Sequence, residues 1–153
     1  MSQDKDKAKK ATRIYDGALL AEIEMAELSN NGHAKRQAYN YFLNEKPKGK
    51  KSDEIRYQLA TLDYEEKKYQ KAAFQFQALA KKSKLDANLK VQAADLALDA
   101  LAILKDHQRI ETWGLEFAKL VPKKSKTYLQ IARKASINPA SPTATKYSSW
   151  RSV

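Results

Sequence analysis

Two histidines, His33 and His107, and no cysteine are all that 153 residues offer for imidazole or thiol chemistry. Without cysteine there is no thiol nucleophile, disulfide or thiolate metal site. Two histidines, both beside expected turns, do not make a metal cluster, and each reads as a solvated turn residue. The four glycines stand isolated at positions 17, 32, 49 and 114, so no glycine-rich loop cradles a phosphate. The acidic pairs Glu22/Glu24 and Glu65/Glu66 are alternate or adjacent on expected helices and point apart, as solvated faces do. A carboxylate pair assembled from separate helices is left open by spacing alone. No catalytic residue, metal ligand or cofactor site is assigned, and the expectation is a binding protein rather than an enzyme.

Charge is the stronger signal. The chain carries a net charge of +11, and eight of those eleven charges fall after Glu116, where no acidic residue remains. Lys119, Lys123, Lys124, Lys126, Arg133 and Lys134 form a basic patch, with Lys146 and Arg151 further on. Such an end attracts nucleic acid, an anionic surface or an acidic partner, or simply solubilises a cap and tail. Lysine-rich stretches at 46–51, 81–84 and 119–126 could neutralise phosphates. They are not interleaved with aromatic residues, so a base-stacking platform is not expected.

The elements that position these groups are helical. Alanine, leucine, lysine, glutamate and glutamine dominate, while Gly and Pro number four each. A first helix is expected over 12–29 on the stripe Ile14, Ala18, Ala21, Met25 and Leu28, stopped by Asn30-Asn31-Gly32. The second, over 33–44, carries Ala34, Ala38, Tyr41 and Phe42. Ser52 is the expected N-cap of a third running to 66, with Ile55, Leu59, Leu62 and Tyr64 on its apolar side. A fourth spans 69–82 through Ala72, Ala73, Phe76, Leu79 and Ala80. Asp86 caps a fifth that runs to 104, apolar on more than one face and so the most buried. The sixth carries Ile110, Trp113, Phe117 and Leu120 and ends at Pro122, and the seventh covers 123–136. Residues 1–11 read as a charged flexible start, 12–136 as the folded domain, and 137–153 as a Pro/Ser/Thr-rich disordered tail. No apolar run approaches the ~20 residues of a bilayer span. Nor does residue 1–11 hold the apolar stretch of a secretion signal. As a complete chain this belongs in the cytoplasm; a fragment of a secreted protein would belong to the cell envelope.

A shift of 34 residues aligns Met25 with Leu59 and Ala93, Ala26 with Ala60 and Ala94, and Leu28 with Leu62 and Leu96. Ala38 then matches Ala72, and Phe42 matches Phe76. Small residues let two helices of a hairpin approach, and the phenylalanines fill the groove toward the next hairpin. An ordinary bundle with heptad-like spacing imitates part of this pattern, but three aligned positions in three units favour a repeat.

Residues 52–84, with Leu59-Ala60, Tyr69, Ala72 and Phe76 at their spacing, resemble a tetratricopeptide repeat. Units from about Leu19 and Asn88 match more loosely. Arg56, with Tyr57 beside it, stands where the family usually has a bulky aromatic, and Ile110, Trp113 and Phe117 fall several residues late. Pro122 resembles the proline that closes a unit. The resemblance implies an all-α, right-handed α-solenoid of about three stacked hairpins with a C-terminal capping helix. It further implies a concave groove exposing Ile23, Glu27, Glu54, Tyr57, Gln58, Thr61, Tyr64, Val91, Gln92 and Asp95. The family's Lys/Asn clamp for a terminal carboxylate is replaced by Ile23, Glu27, Glu54 and Gln58, so no such clamp is expected. The expected function is a scaffold or adaptor that holds a peptide or helix of another protein in that groove, perhaps as part of a larger assembly. The alternative is nucleic-acid or anionic-surface binding through the lysine-rich end.

Overall fold

The computed structural model describes residues 2–137. They form α1 (Ser2–Leu28), α2 (Gly32–Glu45), α3 (Lys50–Glu65), α4 (Tyr69–Ala80), α5 (Ala87–Ile103), α6 (His107–Leu120) and α7 (Ser125–Ser136), with a 3-10 turn at Pro122–Lys124. No strand occurs among the described residues, so the all-α class holds. None of these helices is long and apolar enough to cross a membrane. The tail expected over 137–153 lies outside the described residues from position 138 onward. In place of one domain over 12–136, the chain divides into two compact units, Met1–Ile55 and Arg56–Val153.

In the first unit α1 begins ten residues earlier than expected. Residues 2–11 are helical instead of a flexible start. The physical reason lies in their types: Ala, Lys and Gln are strong helix formers, no Gly or Pro interrupts them, and Asp4 sits in the first turn where the helix dipole favours a carboxylate. The face of α1 also differs. Leu19, Ile23 and Ala26 are buried together with Tyr39 and Phe42 of α2. Ile14, Met25 and Leu28, the expected stripe, are 65%, 69% and 81% exposed. Both stripes have three- and four-residue spacing, so periodicity alone could not choose between them. Ser52 is not an N-cap. It lies inside α3, only 1% exposed, and its hydroxyl is shared between the carbonyls of Lys46 at 2.5 Å and Lys48 at 3.2 Å. The side chain thus ties down the α2–α3 connection, which turns at Gly49 with φ of +124°. The cap of α2 is Asn31, whose Oδ1 accepts from the amides of His33 and Ala34.

In the second unit α4 lies along α5, and α6 along α7. Ala72, Ala73 and Ala80 of α4 and Ala93, Ala94, Ala97 and Ala100 of α5 are all fully buried. The small residues therefore serve the approach of successive hairpins, rather than of two helices in one hairpin. Asp86 caps α5 as expected, accepting from the amides of Asn88 and Leu89. Aromatic rings run through the core in edge contacts, Phe74 to Trp113 at 5.2 Å, Trp113 to Phe117 at 6.4 Å and Phe117 to Tyr128 at 6.0 Å.

The three hairpin turns share one chemistry. Each odd helix ends on a residue in the left-handed conformation, Asn30 (φ 51°), Lys67 (φ 63°) and Lys105 (φ 55°). At the second and third turns two backbone bonds close a Schellman motif, Lys68 N to Asp63 O and Lys67 N to Tyr64 O, then Asp106 N to Leu101 O and Lys105 N to Ala102 O. At the first turn the Ser29 hydroxyl substitutes for the outer bond. It donates to Ala26 O at 2.7 Å and accepts from Asn31 N at 3.4 Å. Measured from these turns, the positions Ile23/Ala60/Leu98, Ala26/Asp63/Leu101 and Phe42/Leu79/Phe117 correspond, and all are buried. The turns fall at 30, 67 and 105, so the structural register departs from the 34-residue shift by about one helical turn.

Gly114 fixes the α6–α7 spacing. A Cβ there would stand 3.0 Å from Ala132 Cβ, 3.1 Å from the Tyr128 carbonyl oxygen and 3.3 Å from Ala132 N. Helix propensity favours Gly114→Ala by about 1 kcal/mol, but crowding against α7 backbone costs about 1–3 kcal/mol. The expected result is a net loss of stability in urea unfolding; an unchanged or raised midpoint would show that α6 and α7 can separate freely.

Candidate functional site

Between Val91 and Leu104 the only charged residues of α5 are Asp95 and Asp99. They are four residues apart and share a helix face. Each carboxylate receives a phenol from a different helix. Tyr64 Oη of α3 donates to Asp99 Oδ2, and Tyr128 Oη of α7 donates to Asp95 Oδ1 at 2.8 Å. Lys124 Nζ completes Asp95 at 2.7 Å from Oδ2 and lies 5.5 Å above the Tyr128 ring. The hydrogen bond to Asp99 pushes the Tyr64 phenol up to about 12, with desolvation adding to it. Tyr128 is completely buried, and that burial first, then Asp95, raises its phenol above the ordinary tyrosine value.

Beside this carboxylate pair, α5, α6 and α7 enclose a cleft of about 580 Å³. Leu98, Ile110, Ile131 and Ala135 supply its apolar surface, while Asp99, His107, Lys124, Thr127 and Lys134 bring polar groups to it. The volume is in the range of a small-ligand or side-chain site, and the combination of an apolar floor with a few polar groups suits recognition. Among the described residues no group of three or more His, Asp or Glu is placed to hold a metal ion.

The expected groove residues meet different fates. In the first unit Ile23 is 4% exposed and belongs to the core, which corrects its expected place on an open surface. Glu27 accepts the Tyr39 phenol at 2.8 Å, and Glu54 pairs with Lys51 at 3.5 Å. In the second unit Tyr57 is half-buried with its ring 5.5 Å from Phe76, and the Thr61 hydroxyl donates to the Tyr57 carbonyl. Gln58 and Gln92 are exposed and Val91 is half-buried. Asp95 and Lys124, expected in a groove and a basic patch respectively, are brought into one ion pair. Lys119, Lys123, Lys126, Arg133 and Lys134 are exposed. Asp99, Tyr128, His107 and Ile131 were absent from the expected site. The available signal was the pair of aspartates interrupting an apolar helix, each needing a donor.

Compared with known proteins, the chain matches no family model, no curated protein and no solved structure.

The phenol–carboxylate bonds set a pH dependence. A phenol whose folded pKa is raised contributes stability that is fully present below its unfolded value near 10 and lost as pH rises through the folded value. For Tyr64 that window runs from about 10 to about 12. Phenolate absorbance should show Tyr64 ionising late in the native chain and nearer its ordinary value in Asp99→Asn. Identical titrations of the two proteins would deny the bond its role.

Proposed function

We propose that the chain is an interaction scaffold that holds a segment of another protein, without a catalytic step of its own. The observation that carries this reading is the cleft of α5, α6 and α7, apolar at Leu98, Ile110 and Ile131 and edged by Lys134, His107 and Asp99. An anchoring apolar side chain from an amphipathic helix or extended peptide would fill it, while flanking polar groups set its direction. Within the second unit, the hairpins α3–α4 and α5–α6 followed by α7 are consistent with a right-handed, tetratricopeptide-like stack in which α7 is the cap. The repeated left-handed turns and the small-residue packing between hairpins support that arrangement.

Ile131 is the discriminating residue, since it is only half-buried and faces the cleft. Peptides selected on the intact chain from a display library should lose at least about ten-fold in affinity against Ile131→Lys, with circular dichroism unchanged. A Tyr57→Ala/Gln58→Ala variant on α3 should bind them as the parent does. Undiminished binding to Ile131→Lys would end the cleft assignment.

A second reading has its own observation. Lys119, Lys123, Lys126, Arg133 and Lys134 carry no carboxylate partner among the described residues, whereas Lys124 is neutralised by Asp95. Such a surface suits phosphate contacts without base reading. Retention on immobilised RNA should fall steeply with salt and collapse when Lys123, Lys126 and Arg133 are changed to Gln. Retention that survives those changes would eliminate this reading.

A further inference from the structure

The outward side of α1 presents an organised surface that its own unit does not use. Ala11, Ile14, Ala18, Ala21, Met25 and Leu28 recur at alternating steps of three and four residues, and every one is exposed. That is the spacing of the a and d positions of a two-stranded coil. The stripe lies on a different face from Leu19, Ile23 and Ala26, which bury against α2. It runs for about 27 Å along the helix.

Charge gives the stripe a direction. Lys9, Lys10 and Arg13 flank its beginning, and Glu22 and Glu24 flank its end. A second α1 lying parallel would set lysines on lysines and glutamates on glutamates. Antiparallel, it sets Lys9, Lys10 and Arg13 toward the glutamates of the other copy. Sizes agree with the same direction. Antiparallel pairing places Ala11 opposite Leu28, Ile14 opposite Met25 and Ala18 opposite Ala21, so that large side chains avoid one another at each end.

Two features without use inside the unit then acquire one. Gly17 sits mid-helix where an added Cβ would meet nothing within 4 Å, so no internal packing calls for a residue that weakens helices. Beside the paired Ala18 and Ala21, its missing side chain lets a second backbone come close. Residues 2–11 are helical yet exposed throughout. In the antiparallel pair they extend past Leu28 of the other copy, toward its shallow groove lined by Met25, Ala34, Ala38 and Tyr41, a space of about 1170 Å³.

We propose that α1 is a self-association element, through which two copies of this chain pair antiparallel along the Ala11–Leu28 stripe. The interface is separate from the cleft of the second unit and does not depend on what that cleft binds.

Sedimentation equilibrium of the full chain at about 0.1 mM should give twice the monomer mass, and Met25→Lys should return it to the monomer with helicity unchanged. Reversing Glu22 and Glu24 to Lys should weaken pairing, and so should reversing Lys9, Lys10 and Arg13 to Glu. Both sets together in one chain should restore it. Because the chain has no cysteine, an introduced thiol reports orientation directly. Ile14→Cys protein mixed with Met25→Cys protein should form the mixed disulfide, while neither alone should crosslink efficiently. A monomeric parent chain at that concentration, a Met25→Lys dimer, or efficient crosslinking of Ile14→Cys with itself would each overturn the proposal.

Discussion

A charge on an otherwise apolar helix has to be answered, and α5 carries two. Asp95 and Asp99 stand among Ala and Leu residues that are mostly buried, so their solvation is replaced in part by donors from neighbouring helices. Tyr64 answers one and Tyr128 with Lys124 the other. Because a phenol has a single donor and a fixed reach, these bonds set where α3 and α7 stand relative to α5. Apolar packing alone would leave such placement looser, since hydrophobic attraction has no direction. The cleft is a consequence: with α7 held by Tyr128 on one side and by the Gly114 contact on the other, Ile131 and Ala135 face Leu98 and Ile110 across a gap that nothing in the unit fills.

Most helices were legible because the cues were local. Asp86 before an apolar run, Asn30-Asn31-Gly32 after one, and Pro122 following Leu120 each act within a turn of the chain, and the helix ends fall close to them. The start of α1 was misjudged because charge density was taken as a sign of disorder, although Lys and Ala alternate there in favour of helix. Its buried face was misjudged for a different reason. Leu19-Ile23-Ala26 and Ile14-Met25-Leu28 are equally periodic, and only packing selects between them. A sequence period reports that a face is apolar, not which neighbour covers it.

The functional surface was legible only in fragments. Asp95 and Lys124 were both noticed, yet placed in separate roles, because 29 residues separate them along the chain and no local rule joins α5 to the start of α7. Ile23 failed as a surface residue because its place was carried over from a family register, whereas the turns at 30, 67 and 105 set a different one. Tyr64 stood out as a conspicuous tyrosine, but its partner Asp99 lies a full hairpin away and becomes visible only when the helices are assembled.

The left-handed turn residues also bear on how the chain reaches this state. Asn tolerates that conformation, but for Lys67 and Lys105 it costs about 1–2 kcal/mol relative to the ordinary helical region. Neither turn would hold its shape in an isolated hairpin. Each is kept there by the helices that follow it, once Tyr69 has met Tyr64 at 5.2 Å and Ile110 has entered the core. The turns are therefore followers in the order of assembly rather than nuclei. Their amides should be among the first to exchange with solvent hydrogen whenever the helices around them part.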